Sequence, residues 1–191
     1  MKKIALLIVC ILISAATLAQ TPEKEYERQF IGQFIDAYRQ SYDSKNISFI
    51  NQIFSENALI ITQTMDLRTS EKTYKNRGKR YKIAVEKKKD YIKRLKQIFD
   101  SSSYMRLEIS SINIEEHSHL PGIYGVSFIQ RWEGDGKGAY SGELHCRGYL
   151  LLIIDFSANR SEPTIHIRTW QPDAVLKEER KFYLYDFEIL T

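Results

Sequence analysis

Cysteine is nearly absent from this 191-residue chain, which has only Cys10 and Cys146. Cys10 lies in the opening apolar run, so a chain that loses that run keeps one thiol and has no intramolecular disulfide. The fold must then rest on a hydrophobic core, which about 170 residues suffice to build. Long hydrophobic runs are equally scarce. IALLIVCILISAA follows a basic MKK and precedes TLAQ, which reads as a secretory signal peptide cut after Ala19. A membrane anchor needs ~20 apolar residues, and this run is shorter and ends in small ones. A lipoprotein signal at Cys10 fits poorly, because Val9 stands where a small residue is expected and the run continues past the cysteine. The expectation is a signal peptide over 1–19 and a single domain over 20–191, periplasmic or secreted. No internal repeat, low-complexity linker or second-domain boundary is visible. Cys146, between His145 and Arg147 in a strand-like run, reads as a buried, inert thiol.

Charge is present but unevenly placed. Residues 68–96 hold 13 Lys and Arg against three acids, Glu71, Glu86 and Asp90. The near-neutral total therefore hides a basic segment on an acidic body. Outside the cytoplasm nucleic acid is an unsuitable partner. Peripheral, salt-dependent contact with anionic envelope surfaces is the function this segment suggests. Lysines on the outer face of a helix are also ordinary solvated surface.

Periodicity sets the order of elements. EKEYERQFIGQFIDAYRQSYDS predicts a helix, with Tyr26, Phe30, Phe34 and Tyr38 four apart and Ile31 and Ile35 widening the stripe. Ser44 is placed to cap a short second helix that turns Ile47, Ile50 and Phe54 inward. NALIIT predicts a buried strand, 63–78 a hairpin tip, and RYKIAV its return. VEKKKDYIKRLKQIF predicts a third helix with Ile92, Leu95 and Phe99 inward. Period two then takes over in YMRLEISSINIEE, IYGVSFIQRWE, ELHCRGYLLLIIDF and TIHIRTW, separated by HSHLPG, GDGKG and ANRSEP. The tail KFYLYDFEIL reads as a last strand or an arm. Helices ahead of one mostly antiparallel sheet define an α+β class.

That order, opening with AYRQSYDSKNISFINQIFSENALIIT, resembles the nuclear transport factor 2-like superfamily. YKIAVEKKKDYIKRLKQIF, YGVSFIQRWEGDG, GYLLLIIDF and IHIRTWQPD look like its secreted Gram-negative bacterial members, a group of unassigned activity. The resemblance implies a cone-like curved antiparallel sheet packed on N-terminal helices, a pocket between them, and frequent homodimers through the open sheet face. It implies no one function, because this fold carries enzymes and binding modules alike.

Enzymes of the superfamily, such as ketosteroid isomerase and polyketide cyclases, set a template: an Asp or His base in an apolar interior. No residue here matches it. Asp155 follows LLLII at a strand end, Glu108 alternates with Arg106 and Ser110 on a solvated face, and Asp66 lies near the hairpin tip. No catalytic residue is assigned. Glu115, Glu116, His117 and His119 have metal-ligand chemistry but crowd one turn, so no metal is expected. GDGKG lacks the strand-to-helix setting and the Lys-Ser/Thr ending of a phosphate loop, and no cofactor is expected.

The richest candidate site is on the late strands. Trp132, the set His145, Arg147 and Tyr149, and the set His166, Arg168 and Trp170 can share one sheet face if their strands are adjacent. Three uses compete: a pocket wall with Arg147 or Arg168 on an anion and Trp170 stacking on a ring, a homodimer interface, or plain sheet surface. YLLLIID, apolar on both faces, points toward an interface. The expected function is an exported, non-catalytic module binding a small molecule or an envelope protein. The alternative is an isomerase- or hydratase-like enzyme.

Overall fold

The computed structural model describes residues 22–65, 81–135, 146–159 and 161–173. The expected signal peptide, the hairpin tip with Asp66, most of GDGKG, His145 and the tail lie outside them. The chain divides into two compact units, Met1–Ala37 and Tyr38–Thr191, and helix α1 (Pro22–Asp43) runs from one into the other. In the first unit Ile31, Phe34 and Ile35 are buried, whereas Tyr26 is 67% exposed. The inward stripe therefore begins a turn later than the aromatic spacing predicts.

In the second unit α1 ends at Asp43 and α2 spans Ile47–Ile53. Its cap is Asn46, whose side chain accepts from the Phe49 amide, and not Ser44, whose hydroxyl donates back to the Gln40 carbonyl. Asn46 wins because Lys45 takes a left-handed φ of 55° and offsets the helix start. Phe54 is buried but opens strand β1 (Phe54–Met65) and does not close the helix. Strand β2 (Tyr81–Lys87) leads into α3 (Lys88–Ser101). The inward face of α3 is Tyr91, Leu95, Ile98 and Phe99; Ile92 sits at its margin. Strands β3 (Met105–Glu116), β4 (Ile123–Gly134), β5 (Arg147–Asp155) and β6 (Thr164–Pro172) follow where alternation predicts them.

The sheet has the order β2-β1-β6-β5-β4-β3 and is not closed. Four neighbouring pairs are antiparallel, and β1 with β6 is parallel. A parallel pair needs a long crossover, which β2, α3 and the β3–β5 meander supply. Cross-strand partners share a face, so the register sorts the side chains. Leu107, Trp132, Phe128, Val126, Leu150 and Leu152 fall on one face with Ile60 and Arg168. Tyr38 and Tyr42 of α1 lie against this inner face, with ring centroids 6.2 Å from Phe128 and 5.5 Å from Trp132. The Asp43 carboxylate accepts the Leu107 amide at 2.6 Å and tethers the end of α1 to edge strand β3.

The opposite face is mixed. At its centre Leu151, Ile153, Thr169 and Gln171 are buried, and Gln171 donates to Gln63 at 2.6 Å. Leu150 to Ile154 of the YLLLIID run are thus buried on both faces of β5. Toward the β2 edge Leu59, Ile83 and Val85 are exposed. Gly148 is required where β5 nears β6, since a Cβ there would sit 2.4 Å from the Gln171 carbonyl oxygen.

Candidate functional site

The expected single face of seven residues does not form. Leu152 pairs with Arg168 and Leu150 with Trp170, which puts Arg168 and Trp170 on the inner face with Trp132. Arg147 and Tyr149 pair with Arg131 and Ile129 and fall on the outer face. The period of two makes a one-residue offset between β5 and β6 enough to send these sets apart. His166 belongs to neither set. The register skips it, with Ile153 opposite Ile167 and Ile154 opposite Ile165. His166 is exposed at this bulge, 3.4 Å from Asp155. Ile165 consequently joins the inner side and is fully buried.

The inner face holds a polar cluster that reading strand by strand does not reveal. Arg168 is 4% exposed. Its Nε donates to the Tyr38 hydroxyl at 3.4 Å, and its guanidinium carbon lies 5.3 Å from the Tyr91 ring centroid. The Tyr91 and Tyr42 hydroxyls are 2.5 Å apart. Tyr38 and Tyr42 sit one helical turn apart on α1, with ring centroids 4.8 Å apart. Three phenols from two helices therefore surround one strand arginine. Among the described residues no carboxylate pairs with Arg168.

Electrostatics fix the protonation of the cluster. Burial pushes the Tyr91 phenol up to about 12 against the pull of Arg168. Burial, then the neighbouring Tyr38 and Tyr91, hold Tyr42 well above the ordinary phenol value. Burial works against the charge of Arg168, but the phenol oxygens of Tyr91, Tyr38 and Tyr42 outweigh it and the guanidinium stays protonated. At neutral pH the cluster is one buried cation among neutral hydroxyls. A buried charge ordinarily has a counter-charge, because desolvation costs several kcal/mol per ion, on the order of 5. Beside it, Trp170 is half-buried, and the hydroxyl oxygen of Thr62, its register partner on β1, is buried without a hydrogen bond. Farther along the same face Gln130 Oε1 and Trp132 Nε1 are also buried and unpaired. The face thus has more polar valences than the described residues satisfy.

The remaining candidates are structural. Asp155 accepts from the Ser157 amide and hydroxyl at 2.7 and 2.6 Å and closes the turn after β5. Burial tends to raise its carboxyl, but Ser157 and His166 outweigh that and hold it low. His117 Nδ1 accepts the amides of His119 and Leu120, both at 3.0 Å, which shapes the β3–β4 turn. Glu108 is partly exposed and faces Arg131. Cys146 is of intermediate exposure, and its carbonyl accepts the Trp132 amide at 3.0 Å. The signal that could have found the cluster was the Tyr38–Tyr42–Tyr91 set of phenols on inward helical positions.

Comparison with known proteins agrees at the level of fold. No family model and no curated protein matches the sequence. Solved structures do match. A nuclear transport factor 2-like protein from Cytophaga hutchinsonii aligns with TM-score 0.54 at 10% identity, over 76% of this chain and 97% of that one. A proposed scytalone dehydratase from Novosphingobium aromaticivorans aligns with TM-score 0.57 at 12% identity, over 80% and 88%. Bd1075 of Bdellovibrio bacteriovorus aligns with TM-score 0.56 at 16% identity over 80% of this chain. The chain spans only 43% of that protein. The chain therefore has the nuclear transport factor 2-like fold, an α+β architecture that serves both ligand-binding and enzymatic proteins.

Proposed function

We propose that this chain is an exported, non-catalytic binding module whose interior seats the anionic head of a small ligand on Arg168. The carrying observation is the buried guanidinium with no carboxylate partner among the described residues. A carboxylate or similar anion would supply the missing charge and accept its remaining N–H groups in a bidentate fork. The phenols of Tyr38, Tyr42 and Tyr91 offer further donors, and Trp170 offers a flat apolar wall beside the arginine. Export is supported by the basic and apolar run at residues 2–16. Homodimerisation is what the resemblance implies.

An isomerase- or hydratase-like enzyme is the second reading. The Tyr42–Tyr91 hydroxyl pair favours it, since neutral phenols can donate to a substrate carbonyl oxygen. Such chemistry also needs a base. The buried polar residues among those described are Ser, Thr, Gln, Lys and Arg, with no Asp, Glu or His. That balance supports binding over turnover.

Native mass spectrometry of the protein purified from its host's envelope fraction tests the reading and counts subunits in the same spectrum. The expected result is a discrete acidic small molecule on the wild type that is absent from Arg168→Met, with both proteins folded. An adduct that persists in Arg168→Met overturns the role of the arginine.

A further inference from the structure

The outer face has a second basic feature that the interior site does not use. A basin of about 460 Å³ lies over β3, β4 and β5. Among the described residues its wall carries Arg39, Arg106, Arg131 and Arg147 against one carboxylate, Glu108. Ile129 contributes an apolar contact on that face, and Ile109 lines the basin from the other side of edge strand β3. We propose that this basin is a binding site for a small organic anion bearing two or more oxyanion groups.

Strand register is the first reason. Glu108 faces Arg131 across β3 and β4, and Arg131 then faces Arg147 across β4 and β5. Like charges directly opposite each other weaken a sheet unless something offsets them. Glu133 and Asp173 each take one terminal nitrogen, and an oxyanion between the two guanidiniums would offset the rest.

Hydrogen bonding is the second. Arg131 Nη2 pairs with Glu133 at 2.8 Å, Arg147 Nη1 pairs with Asp173, and Arg106 Nη2 stands 3.6 Å from Glu108. Each contact engages one terminal nitrogen. The other terminal nitrogen of these three arginines has no acceptor among the described residues. Their side chains are 66%, 55% and 53% exposed for Arg106, Arg131 and Arg147, so those donors are open to solvent. A planar fork with a free edge matches phosphate or carboxylate oxygens. Several such forks around one basin select multiple charges over a single one. Ile129 offers an apolar contact for a carbon skeleton, and the volume lies within the usual range for small-ligand sites. Phosphate esters and polycarboxylates share this chemistry.

Isothermal titration at near-physiological salt, where weak surface attraction is screened, separates them. The probes are inorganic pyrophosphate, citrate and, as a single-charge control, acetate. The expected result is saturable binding of pyrophosphate, citrate or both, and none of acetate. Pyrophosphate alone points to a phosphate-bearing ligand, and citrate alone to a polycarboxylate. Arg131→Gln or Arg147→Gln should weaken the affinity about tenfold each, as loss of a charge-assisted hydrogen bond does. Arg168→Met should leave it unchanged, which separates this site from the interior one. Saturation by neither polyvalent probe overturns the proposal, as does equal binding by a folded Arg131→Gln/Arg147→Gln variant. Arginine Nε–Hε resonances of the wild type probe the same site without any variant: Arg131 and Arg147 must shift on saturation, and silence there overturns the site.

Discussion

Two arginines on opposite faces of the same sheet are handled in opposite ways. Arg168 on the inner face is buried among phenols with no carboxylate partner among the described residues. Arg131 on the outer face is half-exposed and paired with Glu133 at 2.8 Å. Water makes the difference. On the outer face solvent screens the charge, the pair contributes little, and the chain can place acids and bases side by side. On the inner face the charge is costly, and among the described residues only hydroxyls and a ring face meet it. Solvent and a neighbouring acid account for the Arg131–Glu133 pair. They do not account for the inner arrangement, which is why the functional reading rests there.

The contrast can be broken most forcefully through packing. Phe128, 2% exposed on the inner face, should cost about 3–5 kcal/mol on truncation to alanine. Val85, 62% exposed on the outer face, should cost under about 0.5 kcal/mol. Chemical denaturation of both variants measures this, and equal losses would mean that the inner face is not the core.

A smaller effect sharpens the electrostatic half of the comparison. The folded chain holds the Tyr91 proton to about pH 12, whereas an unfolded phenol releases it near pH ~10. Between those values the unfolded state binds fewer protons, so stability falls as pH rises through the window, by on the order of 2 kcal/mol. Tyr42 shifts the same way and adds to the fall. Urea denaturation at pH 9 and above pH 11 reads the slope, and Tyr91→Phe should flatten it. A slope unchanged in that variant would remove Tyr91 from the buried cluster.

The smallest effect belongs to the outer face. A double-mutant cycle on Arg131 and Glu133 should return a coupling under ~1 kcal/mol that fades with added salt. A larger, salt-resistant coupling would mean that this face is shielded from water in solution.

Legibility from sequence followed the range of the interactions. The strands β3 to β6 stood close to their expected bounds, because alternation and turn residues are local signals. Helix details drifted by a few residues, as where the left-handed Lys45 moved the cap of α2 from Ser44 to Asn46. Trp132, Arg168 and Trp170 were singled out on residue type and do share a face. Arg147 and Tyr149 were grouped with them and do not, because grouping across strands depends on register. His166 left the set through a bulge that no alternation pattern announces.

The sequence by itself determined the order of helices and strands, the α+β class and the apolar run that gives β5 two buried faces. Each follows from near neighbours along the chain. Only the tertiary structure decided that Arg168 is an interior residue. Its surroundings come from Tyr38 and Tyr42 on one helix and Tyr91 on another, far from it in sequence, and its face is set by pairing with β1 and β5. A strand's alternation says which residues go together. Only what packs against the strand says which of its faces is dry.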